Sequence, residues 1–509
     1  MYGDFESISV GSDNYYQPTN LPLLVINSEN GEMPQNKDKE TKVQMTAVII
    51  NEGNIEIKQT GTIKLRGNSS LNSEKKPYLI NFDEKTTFLD MPCNEKKWTL
   101  IPNMYDKSLL RNMLGYKISF IFGLKFSPSC RFVDFILNGN YRGTYMICDK
   151  VEVKKDRVDI SKMDETCIEE PEISGGYLLQ GAGARFDAGE TFKTAKGITF
   201  AYEYPSVDDI VEEQKNYIKN KLDEIEDQCY NGNIENIDLD SFVKYFLVKD
   251  FSADRDAIFN SFYIYKDRGN DTIYFGPVWD FDLGFDNSMD FYPTNEKKNF
   301  AFKFASSDGT TKTLVIHILS NDIVLKKVKD MWNEMTNTIF TKEVVLGFLD
   351  EQIKNINESQ RLNFIKWDVL KTRLFMEARC RGSFEKEAEY LKKFVEERFD
   401  VFGEIVKNAT KESIINETKR DSLFGFGHRH NPWGKNKLSD GDDDEQCEGG
   451  SGPSPGPGPG PDPGPGPDPG PWGRNSTRFN RNKNHSNEDT HLRSWLKRKN
   501  KHDTNKENP

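Results

Sequence analysis

The sequence predicts an α+β fold: a β-rich N-terminal lobe over residues 21–205, a larger and mostly helical C-terminal lobe over residues 206–425, and a disordered tail. Three observations lead there. Short β-branched and aromatic runs bounded by turn residues fill the first half. Apolar residues at helical spacing take over after Val207. From residue 431 onward apolar side chains become too sparse to build a core.

Residues 1–20 read as a flexible N-terminus with neither a basic n-region nor an apolar h-region. The chain as written therefore shows no secretory leader, and its compartment stays open between cytosol and cell surface. Strands are expected at Thr46–Ile50, Ile55–Gln59, Gly61–Leu65, Tyr78–Phe82, Phe132–Leu137, Gly143–Val153 and Tyr177–Gln180, where β-branched or aromatic residues recur between polar breaks. One helix is expected among them, capped by Asp106, carrying Leu109, Leu110, Met113, Leu114, Ile118 and Ile121, and ending at Gly123 as C′. In the second half Ile210, Val211, Ile218, Leu222 and Ile225 share a helical face, and Asp240 is placed to cap Phe242–Val248. Residues 310–415 read as helix upon helix, including Leu391–Ile405.

An acidic run at 440–448 leads into Gly-Pro and Asp-Pro repeats, so 431–473 reads as an extended, semi-rigid linker. Residues 474–509 are basic and Asn-rich, with Arg493, Trp495 and Lys497 as a compact cationic feature able to grip an anionic surface or polymer; the plainer reading is a solvated end. The whole chain carries 81 acidic against 69 basic residues, a net charge of −12, so nucleic acid is not expected as the primary partner. Apolar runs such as Leu21–Ile26 are too short for a transmembrane segment. The seven cysteines are odd in number and lack CxxC spacing, which suggests neither a zinc site nor a disulfide scaffold.

Chemistry concentrates in the middle of the chain. Phe259–Lys266 and Thr272–Trp279 read as two strands joined by Asp267-Arg268-Gly269-Asn270-Asp271, a turn-forming segment. Antiparallel pairing with Lys266 near Thr272 brings Asp254 and Asp256 toward Asp280 and Asp282 at one sheet edge. Converging carboxylates repel unless a hard cation or a shared proton neutralises them, so Mg²⁺ or Mn²⁺ is the economical reading. A hydrated polar hairpin end is the alternative.

Elimination points the same way. His317 is the one histidine before residue 428, and it sits in the apolar run Leu314–Leu319, where a packed core role is expected. GxSxG, HExxH and GxxxxGK[ST] motifs are absent. What remains is carboxylate and metal chemistry, with phosphoryl transfer the natural class. Arg66-Gly67-Asn68-Ser69 joins two strand-like runs and can offer backbone N–H groups and a fixed charge to phosphate, although most such stretches are ordinary turns. Lys75 and Lys76 open the next strand, where one ammonium can sit over phosphates. Lys150 and Glu152 share a strand face, as a surface ion pair or an active-site brace.

The ordered blocks LRGNSS (65–70), KKPYLINF (75–82), SLLRNMLGYKI (108–118), FILNGNYRGTYMICDKVEV (135–153), GGYLLQ (175–180), DRDAIFNSFYIYKD (254–267) and YFGPVWDFDLGFDN (274–287) resemble the spore coat protein H (CotH) family of atypical protein kinases, over about residues 21–410. The resemblance implies a protein-kinase-like bilobal fold that uses ATP with Mg²⁺ or Mn²⁺ to phosphorylate a serine-containing protein substrate. On matching positions it implies Asp256 as the catalytic Asp near the acceptor hydroxyl and Asp280 as the principal metal ligand, with Asp256 and Asp282 as further metal-site carboxylates. Arg66, Asn68, Ser69 and Lys76 would face the nucleotide, and Glu152 would orient Lys76 or the metal. Two departures stand out: Asp254 replaces the usual Asn, and Leu71 follows a second Ser in place of a Trp. The extra charge of Asp254 would demand a further cation or weaken ATP binding. A degenerate surface adhesion module on a Pro/Gly stalk and metal-dependent nucleotidyl transfer to protein are the alternative readings.

Overall fold

Alternating burial along Val43–Asn51 and the end of Asn54–Leu65 puts one face of each strand into a core, and the chain continues this pattern until the sheet closes on itself. The computed structural model describes residues 18–35, 42–182, 189–254, 261–288, 300–304, 310–374, 377 and 379–415, with a short strand pair, β1 (Ile8–Ser9) and β2 (Tyr15–Tyr16). The linker expected at 431–473 and the basic segment at 474–509 lie outside the described residues.

Seven strands form a closed barrel: β3 (Leu23–Ser28), β4 (Val43–Asn51), β5 (Asn54–Leu65), β6 (Tyr78–Thr86), β7 (Glu95–Ile101), β8 (Cys130–Leu137) and β9 (Asn140–Asp149). Their order is β3-β4-β5-β6-β7-β9-β8. All neighbours are antiparallel except the closing pair, β3 with β8, which runs parallel from Leu23↔Asp134 to Ile26↔Leu137. The strand-rich N-terminal half is thus as expected, but it is a barrel rather than the kinase-like lobe that the resemblance implies. The difference comes from β3, which the sequence shows only as a short apolar run and which removes both sheet edges by pairing with β8. The two runs expected at 55–59 and 61–65 are one strand, β5. The β8–β9 hairpin turns through Asn138 and Gly139, both at positive φ, the backbone that a tight two-residue hairpin requires. Trp98, Phe82, Phe88, Phe135, Tyr78 and Tyr145 fill the interior.

After α1 (Arg111–Ile121) and the barrel's last strands, the chain builds a five-stranded sheet in the order β11-β12-β10-β13-β14. Its members are β10 (Tyr177–Gly181), β11 (Thr191–Lys193), β12 (Thr199–Tyr204), β13 (Tyr263–Lys266) and β14 (Ile273–Phe275). Strands from both sides of residue 205 therefore share one sheet. Between β12 and β13 run α2 (Glu212–Tyr230), which buries Ile218, Leu222 and Ile225, and α3 (Leu239–Phe251). The helical remainder is α4 (Thr310–Leu319), α5 (Asp322–Thr336), α6 (Lys342–Asn355), α7 (Asn357–Lys366) and α8 (Phe384–Asn408).

Two expected caps shift. Asp238, not Asp240, caps α3 by accepting the Ser241 N–H at 2.7 Å, while Asp240 pairs with Lys244 in the first turn. Asp106 sits upstream of α1, where its carboxylate accepts the N–H groups of Ser108 and Arg111 and also pairs with the buried Arg111 guanidinium. Gly123 does end α1 at φ 66. His317 is half-buried and stacks on Tyr230, with burial and nearby Lys196 lowering its pKa. Among the described residues no helix is long and apolar enough to cross a membrane.

Candidate active site

The hairpin forms, with Lys266 opposite Ile273 and Ile264 opposite Phe275, but its second strand is shorter than the expected Thr272–Trp279. Its ladder ends at Phe275, so Asp280 reaches the site from an irregular return segment rather than from a strand. Asp280 holds φ 60, a left-handed backbone in which the adjoining peptides point away from the strand direction. The following peptide is fixed by Asn112 of α1, whose Oδ1 accepts the Phe281 N–H at 2.7 Å. Ser261 Oγ donates to the Asp280 carboxylate at 3.3 Å. Asp256 lies outside the described residues.

The barrel contributes the basic side of the site. Arg66 follows β5, its N–H bonded to Pro77 O at 3.2 Å, and its guanidinium stands 5.4 Å from the ring centroid of Trp279, the residue before Asp280. Gly67, at φ 92, makes the turn that a side chain would obstruct against Ser70 and Pro77. Ser69–Asn72 then form a 3-10 turn preceded by Asn68, which is exposed. Ser69 O accepts the Tyr105 hydroxyl at 3.2 Å. Tyr105 has its pKa raised by burial and by the charge of Asp282, which places Asp282 on the same side as the Ser69 turn. Asn287 Nδ2 donates to both Tyr105 O and Asp282 O at 2.7 Å, so the Asp282 backbone lies near the residue that braces the Ser69 turn.

Lys76 and Glu152 are engaged differently from what the resemblance implies. The Lys76 ammonium donates to Leu71 O at 2.6 Å, holding the loop rather than pointing at Glu152. Glu152 accepts Arg157 at 2.5 Å and lies 3.7 Å from Lys97. Lys75 is buried and structural: it donates to Pro102 O, Thr144 O and Asn363 Oδ1, which ties the barrel to α7.

Further residues of the quoted blocks bear on the site. Lys150 is half-buried beyond β9; burial lowers its pKa, Glu203 and Glu152 oppose that, and Lys97 and Arg66 add to it. Tyr263 of β13 is buried, and its pKa is raised by burial, by Glu203 and by Asp280 while Arg66 lowers it. Tyr116 of α1 stacks on Trp279 with centroids 5.6 Å apart; burial chiefly raises its pKa, and it also senses Asp280 and Arg66. Arg66 bears electrostatically on Lys150, Tyr116 and Tyr263, Asp280 on the two tyrosines, and Glu203 on Lys150 and Tyr263. The Tyr116 hydroxyl is buried without a hydrogen-bond partner among the described residues, which suits a site built to receive a polar ligand. Lys249, followed by Asp250 near the end of α3, is buried, with its ammonium 4.1 Å from the Phe281 ring centroid.

Among the described residues no group of three or more His, Cys, Asp or Glu side chains converges. One or two carboxylates completed by phosphate oxygens and water are how Mg²⁺ is usually bound in phosphoryl-transfer sites.

A family model described as CotH kinase protein matches residues 63–402. The match runs from within β5 into α8 and takes in the barrel loop, the hairpin and Asp280. No curated protein matches the chain.

Proposed function

Because the chain belongs to the CotH kinase family, we propose that it is an atypical protein kinase that moves the γ-phosphate of ATP to serine, or threonine, of a protein substrate with Mg²⁺ or Mn²⁺. The observation that supports this most is the meeting of Arg66 and Asp280 about Trp279, a cation from the barrel and a carboxylate from the hairpin return. In this reading Arg66 and the 67–70 backbone receive phosphate oxygens, and Lys76 keeps that loop in shape through Leu71 O. Lys150 supplies a further positive charge. Asp280, with Asp256 and Asp282, would hold the cation, which when bound neutralises charge on the phosphates. Asp256 accepts the proton of the attacking hydroxyl as the new O–P bond forms and ADP leaves with the old bridging oxygen. Glu152 acts through Arg157 and Lys97.

The kinase-like bilobal organisation belongs to the same proposal, with the barrel covering the phosphates and the sheet and helices carrying the carboxylates. A serine-rich protein segment is the proposed acceptor, and the basic 474–509 segment would bring the chain to an anionic surface or polymer. Intact-mass spectrometry of the full chain with ATP and Mn²⁺ or Mg²⁺, alone and with a serine-rich protein, tests the reading beside Asp256→Asn and Asp280→Asn. Phosphate-sized additions lost in both variants are expected. Nucleotide-sized additions would replace phosphoryl by nucleotidyl transfer. No addition together with no metal-dependent ATP binding refutes the enzyme and leaves the adhesion module.

A further inference from the structure

Lys249 closes α3 with an ammonium that is 2 % exposed. It donates to Asp254 Oδ2 at 2.6 Å and to Trp279 O at 2.5 Å, and it lies 3.5 Å from Asp280 O and 4.1 Å from the Phe281 ring centroid. One buried cation thus touches both segments that carry the acidic residues: the end of α3, two residues before Asp256, and the return that holds Asp280. Backbone bonds follow the same seam, since Phe285 N–H donates to Ser252 O at 2.5 Å. A Cβ on Gly284 would meet Ser252 O at 3.3 Å and Asp254 Cβ at 3.6 Å, so the two segments are in close contact there.

From this arrangement we infer that Lys249 and Asp254 form a positioning pair that sets the Asp280 backbone for phosphoryl transfer. The inference rests on the kinase reading. The Asp280–Phe281 peptide is held from two sides, its carbonyl facing Lys249 and its N–H bonded to Asn112, while Ser261 Oγ donates to the Asp280 carboxylate at 3.3 Å. Asp254 stands where the resembling family has Asn, and its added charge is met by a cation from the chain itself. The pair therefore removes the objection that Asp254 spoils the site.

A charge-balance role and a positioning role separate in the double variant. Lys249→Met alone leaves a buried carboxylate without its cation and lowers the melting temperature most. Lys249→Met with Asp254→Asn removes both charges and brings the melting temperature back toward wild type. Positioning requires that this double variant, although folded, keep a kcat reduced on the order of 100-fold, with KM for ATP changed much less. Its Mn²⁺ affinity, read by titration calorimetry, should fall as well, and Lys249→Arg should recover part of the rate. A double variant with wild-type kcat and Mn²⁺ affinity overturns the inference alone. A wild-type chain that neither binds Mn²⁺ nor transfers phosphate overturns the kinase reading and the inference with it.

Discussion

Gly115 tests how tightly the fold controls Asp280. It lies on the buried face of α1, where a Cβ would stand 2.5 Å from Phe281 Cε2 and closer still to Cγ and Cδ2. Ordinary contact begins near 3.4 Å, so the ring must retreat by at least 0.9 Å (3.4 − 2.5). It has little room to do so: Phe281 is fully buried, with its ring edge against Tyr116 at 6.0 Å, Phe285 at 6.2 Å, and its N–H fixed by Asn112. The displacement therefore passes into the backbone that carries Asp280. Alanine gains about 1 kcal/mol over glycine in a helix interior. Overpacking a filled core costs about 1–3 kcal/mol, so Gly115→Ala loses a net of about 0–2 kcal/mol. In a chain of this size that is a change of only a few degrees in Tm. Activity should suffer far more, on the order of 100-fold in kcat, because the ring's displacement is passed to the backbone that carries a reacting group. Scanning calorimetry and steady-state phosphate incorporation measure the two quantities on the same preparation. Adding Phe281→Leu should restore part of the rate by relieving the clash. Gly115→Ala with wild-type kcat would refute the idea that the Phe281 ring sets the carboxylate.

Two further outcomes follow from buried charge. Glu226 is pushed up to about 7, chiefly by burial, and its Oε2 has no hydrogen-bond partner among the described residues. An acid with a raised folded pKa contributes its full stability below the unfolded value, and loses it as pH rises through about 7. Glu226→Gln, which mimics the protonated acid, should thus raise Tm at pH 8 and change little at pH 4; equal effects at both would contradict this. Lys75→Met should cost about 3–5 kcal/mol in chemical denaturation, since it removes the donor shared by three buried acceptors and the cation facing buried Asp134. A loss below about 1 kcal/mol, the scale of one ordinary hydrogen bond, would show that the Lys75 bonds do not hold the barrel to α7.

Local order was legible and long-range closure was not. The β13–β14 hairpin could be read because its signals are adjacent: aromatic runs on either side of Asp267–Asp271. Barrel closure joins Leu23 to Asp134, and no periodicity within a strand reports a parallel partner so far away. The α3 cap shows the same limit on a smaller scale. Asp238 and Asp240 are both capping residues by type, and only the backbone geometry, with the Ser241 N–H pointing at Asp238, decides between them. In the site, Asp280 and Arg66 were visible because their neighbours form recognisable blocks. Lys150 and Tyr263 lie in such blocks as well, but Glu203 does not, and nothing local in the sequence shows that its charge bears on both.

The position of Asp280 is inherited from structure on both sides of the helices α2 and α3. β13 pairs with β10, formed before those helices, from Tyr177↔Lys266 to Gln180↔Tyr263. Lys249 and Asn112 then attach the return segment to α3 and α1. Arg66 has a separate support, the barrel loop held by Lys76 and Tyr105. Carboxylate and guanidinium thus belong to different frameworks that touch at Trp279, against which Tyr116 stacks. A substitution that alters the Arg66 framework should weaken nucleotide binding, whereas one that alters the Asp280 framework should slow transfer. Lys76→Met and Gly115→Ala probe the two frameworks, and their kinetic signatures should differ in that sense: a raised KM for ATP in the first, a lowered kcat in the second. The same signature from both would mean that the two groups move as one body and that Trp279 is an internal contact rather than a junction.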